Sequence, residues 1–151
     1  MKTIKFPYIK YLVTPETVHP AQYVYRPVIP VRLAMGQKVI IFDGLIDSGA
    51  DECTFPAWIL KTLGHDLYNG EKKIFKGIGG SVLAYLHKTH LEINGHKFWT
   101  DVYYSHEWDD MPFGLLGQNG FFIHLNVSFN YKEKMISIHD TRPSQSSHPR
   151  S

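Results

Sequence analysis

Turn-forming residues divide residues 23–140 into short runs of β-branched, aromatic and aliphatic residues. Met35–Gln37 separates two such runs, Asn94-Gly95 separates two more, and Lys132–Lys134 separates a final pair in which apolar and polar residues alternate. Asn-Gly is the strongest short-range hairpin signal, and a period of two is typical of strands with one buried face. The sequence therefore predicts a mainly β domain built largely from hairpins.

Two segments depart from the β pattern. Pro56–Gly64 has Pro in its first turn and Gly just past its end, which predicts a short helix. A second short helix is expected over Gly117–His124. Pro27 and Pro30 remove amide donors, so the strand that contains them is predicted to run along a sheet edge for part of its length.

The two ends of the chain differ from its middle. Residues 1–22 contain Pro7, Pro15 and Pro20 without sustained periodicity, which predicts an extended arm laid on the domain. Residues 141–151 are rich in Ser and Pro and are predicted to be a disordered tail. A length of 151 residues with 43% hydrophobic residues indicates one compact domain, which we assign to 23–140.

Charge and cysteine content exclude several classes of protein. The formal net charge is +2, which is too small to indicate a nucleic-acid or membrane partner, so neither is expected. No run approaches the roughly 18 apolar residues of a membrane span, and no signal peptide is recognised. The single Cys53 excludes an intrachain disulfide and is compatible with a reducing compartment, so a cytoplasmic location is expected.

The sharpest chemical feature is an apolar strand that ends abruptly at Asp47-Ser48-Gly49. A glycine here lets the backbone approach the carboxylate, and amide hydrogens directed at its oxygens would stabilise the charged form. The alternative is an ordinary turn, since Asp, Ser and Gly all favour turns. The nine His residues are scattered without a metal-binding motif, so no metal or other cofactor is expected.

Three segments in order, Leu45–Asp51, Gly77–Gly80 and Leu115–Gly117, together resemble the retropepsin-like aspartic proteases. The resemblance extends over about residues 23–140. It implies a mainly β, closed, barrel-like domain with one or two short helices. It also implies an aspartic endopeptidase in which a glycine-rich flap closes on an extended peptide.

By position, the resemblance implies that Asp47 is the catalytic aspartate, that Ser48 braces two active-site loops across a dimer, and that Gly49 contacts the dyad and the substrate. The residues implied in substrate binding belong to the signature, the flap tip and an apolar pocket: Ala50, Asp51, Gly77, Ile78, Gly79, Gly80, Pro112, Phe113 and Leu115. The chain departs from the retroviral pattern at Gln118, which replaces an Arg and removes an ion pair to Asp51. Its C-terminal hairpin, Val127–His139, resembles the end of a pepsin lobe.

Hydrolysis by this chemistry needs two carboxyl groups that share a proton, and the chain contains one Asp-Ser-Gly. The second carboxyl group must therefore come from a second copy. We expect a twofold homodimer in which the two Asp47 side chains face one water molecule and a peptide or protein is the substrate. The alternative is a catalytically silent, dimeric module of the same fold that binds peptides or proteins in its cleft.

Overall fold

The computed structural model describes residues 2–77 and 80–142. The described part contains twelve strands, one α-helix, and two 3-10 turns at Leu67–Asn69 and His106–Trp108. The longer elements are β1 (Lys2–Pro7), β2 (Ile9–Leu12), β3 (Tyr23–Arg26), β4 (Val28–Met35), β5 (Lys38–Ile46), β6 (Thr54–Pro56), α1 (Ala57–Thr62), β7 (Glu71–Gly77), β8 (Gly80–Ile93), β9 (His96–Ser105), β10 (Gly114–Leu116), β11 (Leu125–Asn130) and β12 (Met135–Asp140).

Six strands form a closed ring in the order β4-β5-β10-β6-β9-β8, because β4 also pairs with β8. The β4–β8 pairing covers only Arg32–Ala34, so Pro30 lies in a part of β4 that is paired with β5 alone. β7 pairs with β8 and extends this sheet as a seventh strand. The predicted mainly β, closed, barrel-like domain with one or two short helices is confirmed.

The predicted hairpins form where local turn chemistry specifies them. Met35 pairs with Lys38 across Gly36, and Ile93 pairs with His96 across Asn94-Gly95. Gly36, Asn94 and Gly95 all have positive φ, which is the conformation that tight two-residue hairpin turns require. The predicted short helix is present as α1, and its Ile59 and Leu60 are fully buried.

The helix predicted over Gly117–His124 is wrong. This segment is a succession of turns held by backbone hydrogen bonds from Phe122 N–H to Gly117 O and from His124 N–H to Phe121 O. Gly120 has a φ of +109°, outside the right-handed helical region, and this interrupts any regular helix.

The N-terminal residues are integrated into two small sheets. β1 pairs with β12, which also pairs with β11, and β2 pairs with β3 as a separate two-stranded hairpin. Ile136 and Ile138 of β12 are buried in the same hydrophobic core as Phe55, Tyr104 and other barrel residues, so this small sheet packs against the barrel. Within the predicted tail, Thr141 and Arg142 are described, and 143–151 lie outside the described residues.

Asp140 at the end of β12 joins the C-terminal strand to the β8–β9 turn. Its Oδ2 accepts hydrogen bonds from Arg142 at 2.6 Å and is 2.7 Å from His96 Nδ1, while Arg142 also donates to the carbonyl of Lys97. Hydrogen bonding from Arg142, with a smaller contribution from His96, holds the pKa of Asp140 well below its ordinary value. The charged carboxylate is therefore stabilised by the fold.

We expect Asp140→Asn to lower the free energy of unfolding by about 1–3 kcal/mol at neutral pH. Because the folded pKa of Asp140 lies below the unfolded value, its contribution is complete above the ordinary Asp pKa of about 4 and is lost progressively as the pH falls from there through the folded pKa. Urea unfolding should therefore give a difference from wild type that is smaller at about pH 3 than at about pH 6, because part of the contribution is already lost at the lower pH. An equal difference at both values would contradict this role, and Asp110→Asn, at an exposed acid, is the control.

Candidate active site

The Asp47 turn is fixed by backbone contacts on two sides. Strand β5 ends at Ile46, and the next amide, Asp47 N–H, donates to Leu116 O at 3.0 Å. Asp47 Oδ1 accepts from Gly49 N–H at 2.9 Å, and Ala50 N–H donates to Asp47 O at 3.1 Å. Asp47 as a whole is half-buried. The turn thus holds one carboxylate oxygen against the backbone.

Strand β10 lies parallel to β5. The two residues that follow β10, Gly117 and Gln118, pack against the Asp47 turn and support it. A Cβ atom on Gly117 would lie 2.4 Å from Glu52 O and 2.6 Å from Ala50 O, so only glycine fits there. Gln118 donates from its backbone to Ala50 O and from its side-chain Nε2 to Ser48 O, at 2.9 and 2.8 Å. Gln118 therefore braces the turn through an uncharged hydrogen bond.

A cleft of about 890 Å³ opens above Asp47. The Asp47 turn and Leu115 form part of its lining, and the β7–β8 hairpin lines it as well. The hairpin residues at the cleft are Lys73, Ile74, Phe75, Lys76, Gly80, Ser81 and Val82. The fold thus brings the carboxylate and the hairpin to one open cavity of sufficient size for several side chains.

The predicted site residues are distributed unequally around this cleft. Those that line it are Asp47, Gly49, Ala50, Asp51, Gly80 and Leu115. Ser48 is exposed beside the cleft, and Gly77 pairs with Gly80 at the end of the described hairpin. Ile78 and Gly79 lie outside the described residues.

The remaining two predicted residues, Pro112 and Phe113, are not in the cleft lining. Pro112 is exposed. Phe113 is buried, with its ring centroid 5.9 Å from that of Tyr11 on β2 and 5.9 Å from the Arg26 guanidinium carbon on β3. Phe113 thus packs against the N-terminal β2–β3 hairpin.

The 3-10 turn His106–Trp108 contributes two cleft residues that the sequence motifs did not indicate, Glu107 and Trp108. Trp108 Nε1 donates to Phe113 O at 2.9 Å, which fixes the turn against the start of β10. No local pattern marks these residues, because their position depends on how β9 and β10 are connected across the barrel.

Ion pairing at the edge of the cleft involves Glu52. Its Oε1 is 3.2 Å from Lys73 Nζ and 3.2 Å from Asn119 Nδ2. The Glu52 carboxylate therefore connects β7 to the segment after β10 that supports the Asp47 turn. The hydrogen bond to Glu52 raises the pKa of Lys73, which therefore stays protonated.

The neighbouring Cys53 is fully buried, and desolvation raises its pKa to about 12, so the thiol is not a nucleophile near neutral pH.

The described residues lack two other kinds of feature. There, no group of three or more His, Cys, Asp and Glu side chains is arranged to hold a metal ion. In the same part of the chain, no helix has the length and apolar character needed to cross a membrane.

Comparison with known proteins gives a match at the level of the fold. No protein-family model and no curated protein matches the chain. Among solved structures, the chain is similar to an EIAV protease complexed with the inhibitor HBY-793, with 20% identity over 70% of this chain and 88% of that chain, and a TM-score of 0.47.

Proposed function

We propose that the chain is an aspartic endopeptidase that acts as a homodimer, with Asp47 of each copy activating one shared water molecule. The observation that carries this proposal is the placement of Asp47 on a braced turn, in a cleft that the β7–β8 hairpin also lines. Carboxylates in such clefts are candidates for acid–base chemistry.

The chemistry needs a charged and a protonated carboxyl group at the same time. The charged Asp47 takes a proton from water as the oxygen attacks the peptide carbonyl, while the protonated partner donates a proton to the carbonyl oxygen. The tetrahedral intermediate then collapses as a proton is returned to the amide nitrogen and the C–N bond breaks. Two carboxylates about 3 Å apart resist double ionisation, which leaves one charged and one protonated carboxyl group in the pair.

In this proposal the β7–β8 hairpin is the flap that closes on an extended peptide. Ile74, Val82, Trp108 and Leu115 line the same cleft and would bind apolar side chains of the substrate. Gly80 lies near the hairpin tip with a φ of +136°, where a side chain would be strained. A glycine at this position lets the backbone approach the peptide closely.

The bracing of the Asp47 turn favours the enzyme over the silent peptide-binding module. An ion pair at this position is excluded by Gln118, yet its side chain still holds Ser48 O at 2.8 Å. A module that only binds peptides has no need for an aspartate on this braced turn.

The proposal is tested by incubating wild type and Asp47→Asn with a mixed peptide library from about pH 4 to pH 7. We expect new peptide termini with wild type, most of them at mildly acid pH, and none above background with the variant. Asp43→Asn, at an exposed acid of β5, is the matched control and should cleave like wild type. Identical product profiles for wild type and Asp47→Asn would overturn the proposal, and a dimer that binds peptides without cleaving them would favour the module.

A further inference from the structure

We infer that Glu107 fixes the point at which the β7–β8 hairpin leaves the barrel, and so acts as a positioning residue for closure of that hairpin over Asp47. The inference rests on the proposed function, in which the hairpin closes on a peptide. It concerns a contact between a side chain of the 3-10 turn and the backbone of β8, which none of the sequence motifs includes.

The backbone ladder between β8 and β9 ends before Leu83. Its last pair at this end is Tyr85 with Tyr104, and the next residue of β9, Ser105, pairs with Pro56 of β6. Glu107 Oε2 accepts from Leu83 N–H at 2.7 Å, and Ser105 Oγ donates to Leu83 O at 2.6 Å. The side chains of Glu107 and Ser105 therefore replace the strand-to-strand hydrogen bonds that β9 does not make at Leu83. They bind both the N–H and the C=O group of Leu83.

Strand β7, the other strand of the hairpin, is anchored at nearly the same position along the hairpin. Leu83 is paired with Ile74, and the adjacent Lys73 makes the ion pair with Glu52. The side chain of Lys73 is 45% exposed, so solvent screens this pair and its contribution is small. A carboxylate that accepts from a backbone amide makes a charge-assisted bond, about twice as strong as a neutral one. Glu107 and Lys73 therefore anchor the two strands of the hairpin at nearly the same position, Glu107 through the backbone of β8 and Lys73 through its side chain.

Between Leu83 and the tip, β8 is paired only with β7 among the described strands. Phe75 pairs with Val82, Lys76 with Ser81 and Gly77 with Gly80, and no other described strand pairs with these residues. An isolated two-stranded hairpin is at best marginally stable in water. Its position over the cleft consequently depends on where it is anchored. Without Glu107 the pivot moves back toward Tyr85, and the segment that moves freely becomes longer.

Amide hydrogen exchange measured by NMR tests this inference without any substrate. We expect Glu107→Ala to speed exchange at Leu83 and at residues 80–82 about tenfold or more, with Leu91 in the barrel unchanged. Glu107→Gln, which keeps an acceptor oxygen, should retain part of the protection. The control is Asp110→Ala, at an exposed acid three residues further along. Equal exchange at Leu83 in Glu107→Ala and Asp110→Ala would overturn the inference, and so would a rise that extends to Leu91.

Enzyme kinetics distinguish a positioning role of Glu107 from a general loss of structure. We expect Glu107→Ala to raise KM for a cleaved peptide, and to weaken binding of a statine-containing peptide, about tenfold, with kcat nearly unchanged and Glu107→Gln in between. A fall in kcat with unchanged KM would overturn the positioning role. If wild type neither cleaves the library nor binds the statine-containing peptide, the proposed function fails, while the exchange rates still decide whether Glu107 anchors the hairpin.

Discussion

When wild-type chain is mixed with an equal amount of Asp47→Asn chain and the subunits exchange freely, activity per wild-type chain is expected to fall to about a half, and with a threefold excess of the variant to about a quarter. In the proposed mechanism each active site needs one Asp47 from each copy, so a mixed dimer contains one carboxyl group and one amide. Loss of a positioned acid or base lowers the rate by about 10²- to 10⁴-fold. The measurement is the initial rate of peptide cleavage at fixed wild-type concentration.

Mixing with Asp43→Asn is the control, because that chain keeps its own Asp47 and should not inhibit. Specific activity should also fall on dilution of wild type, in step with the loss of dimer measured by light scattering or sedimentation. Activity that is independent both of added Asp47→Asn and of dilution would mean that each chain holds a whole site, and the homodimer mechanism would be abandoned.

Gly117→Ala is expected to lower the free energy of unfolding by about 1–3 kcal/mol and to abolish most of the peptidase activity. The new Cβ would meet two backbone carbonyl oxygens, those of Glu52 and Ala50, at 2.4 and 2.6 Å. Neither carbonyl can rotate away as a side chain does. The segment that contains residue 117 must therefore separate from the Asp47 turn. Urea unfolding and cleavage rates measure the two effects.

Gly49→Ala provides the contrasting variant. Its Cβ would lie 3.2 Å from Asp47 Oδ1, a side-chain atom that can shift by a few tenths of an ångström. We expect Gly49→Ala to unfold close to wild type while it disturbs the carboxylate and slows cleavage. If Gly117→Ala unfolds at the same urea concentration as wild type, the close packing under the Asp47 turn does not constrain the site as we describe.

Local chemistry made much of the fold predictable. The turns at Gly36 and at Asn94-Gly95 need positive φ, and the residues present are those that adopt it readily, so the β4–β5 and β8–β9 hairpins could be predicted without tertiary information. The same holds for α1, which has Pro before its first residue and Gly two residues beyond its last. The strand end at Asp47 was visible for a similar reason, since an apolar run stops there at a turn-forming triplet.

Contacts distant in sequence account for the parts that could not be predicted. Residues 117–124 look helical by themselves, but Gly117 is packed against the backbone of Ala50 and Glu52, and Gly120 adopts a positive φ. Glu107 lies at the site because of how β9 and β10 are connected, and its hydrogen bond there is to Leu83, 24 residues away. Phe113 was assigned to the substrate pocket, whereas its actual neighbours include Tyr11 of the N-terminal hairpin. None of these contacts leaves a periodic or motif-like trace in the sequence.

Strand β7 has one edge with no neighbour among the described strands, and this open edge has a consequence for solubility. An unpaired strand edge is a template for pairing with another molecule. Here the strand carries Lys72, Lys73 and Lys76 around its apolar Ile74 and Phe75, and two such strands brought side by side would repel each other. If the chain pairs at Asp47 as proposed, these lysines discourage aggregation through the β7–β8 hairpin at the concentrations that such pairing requires.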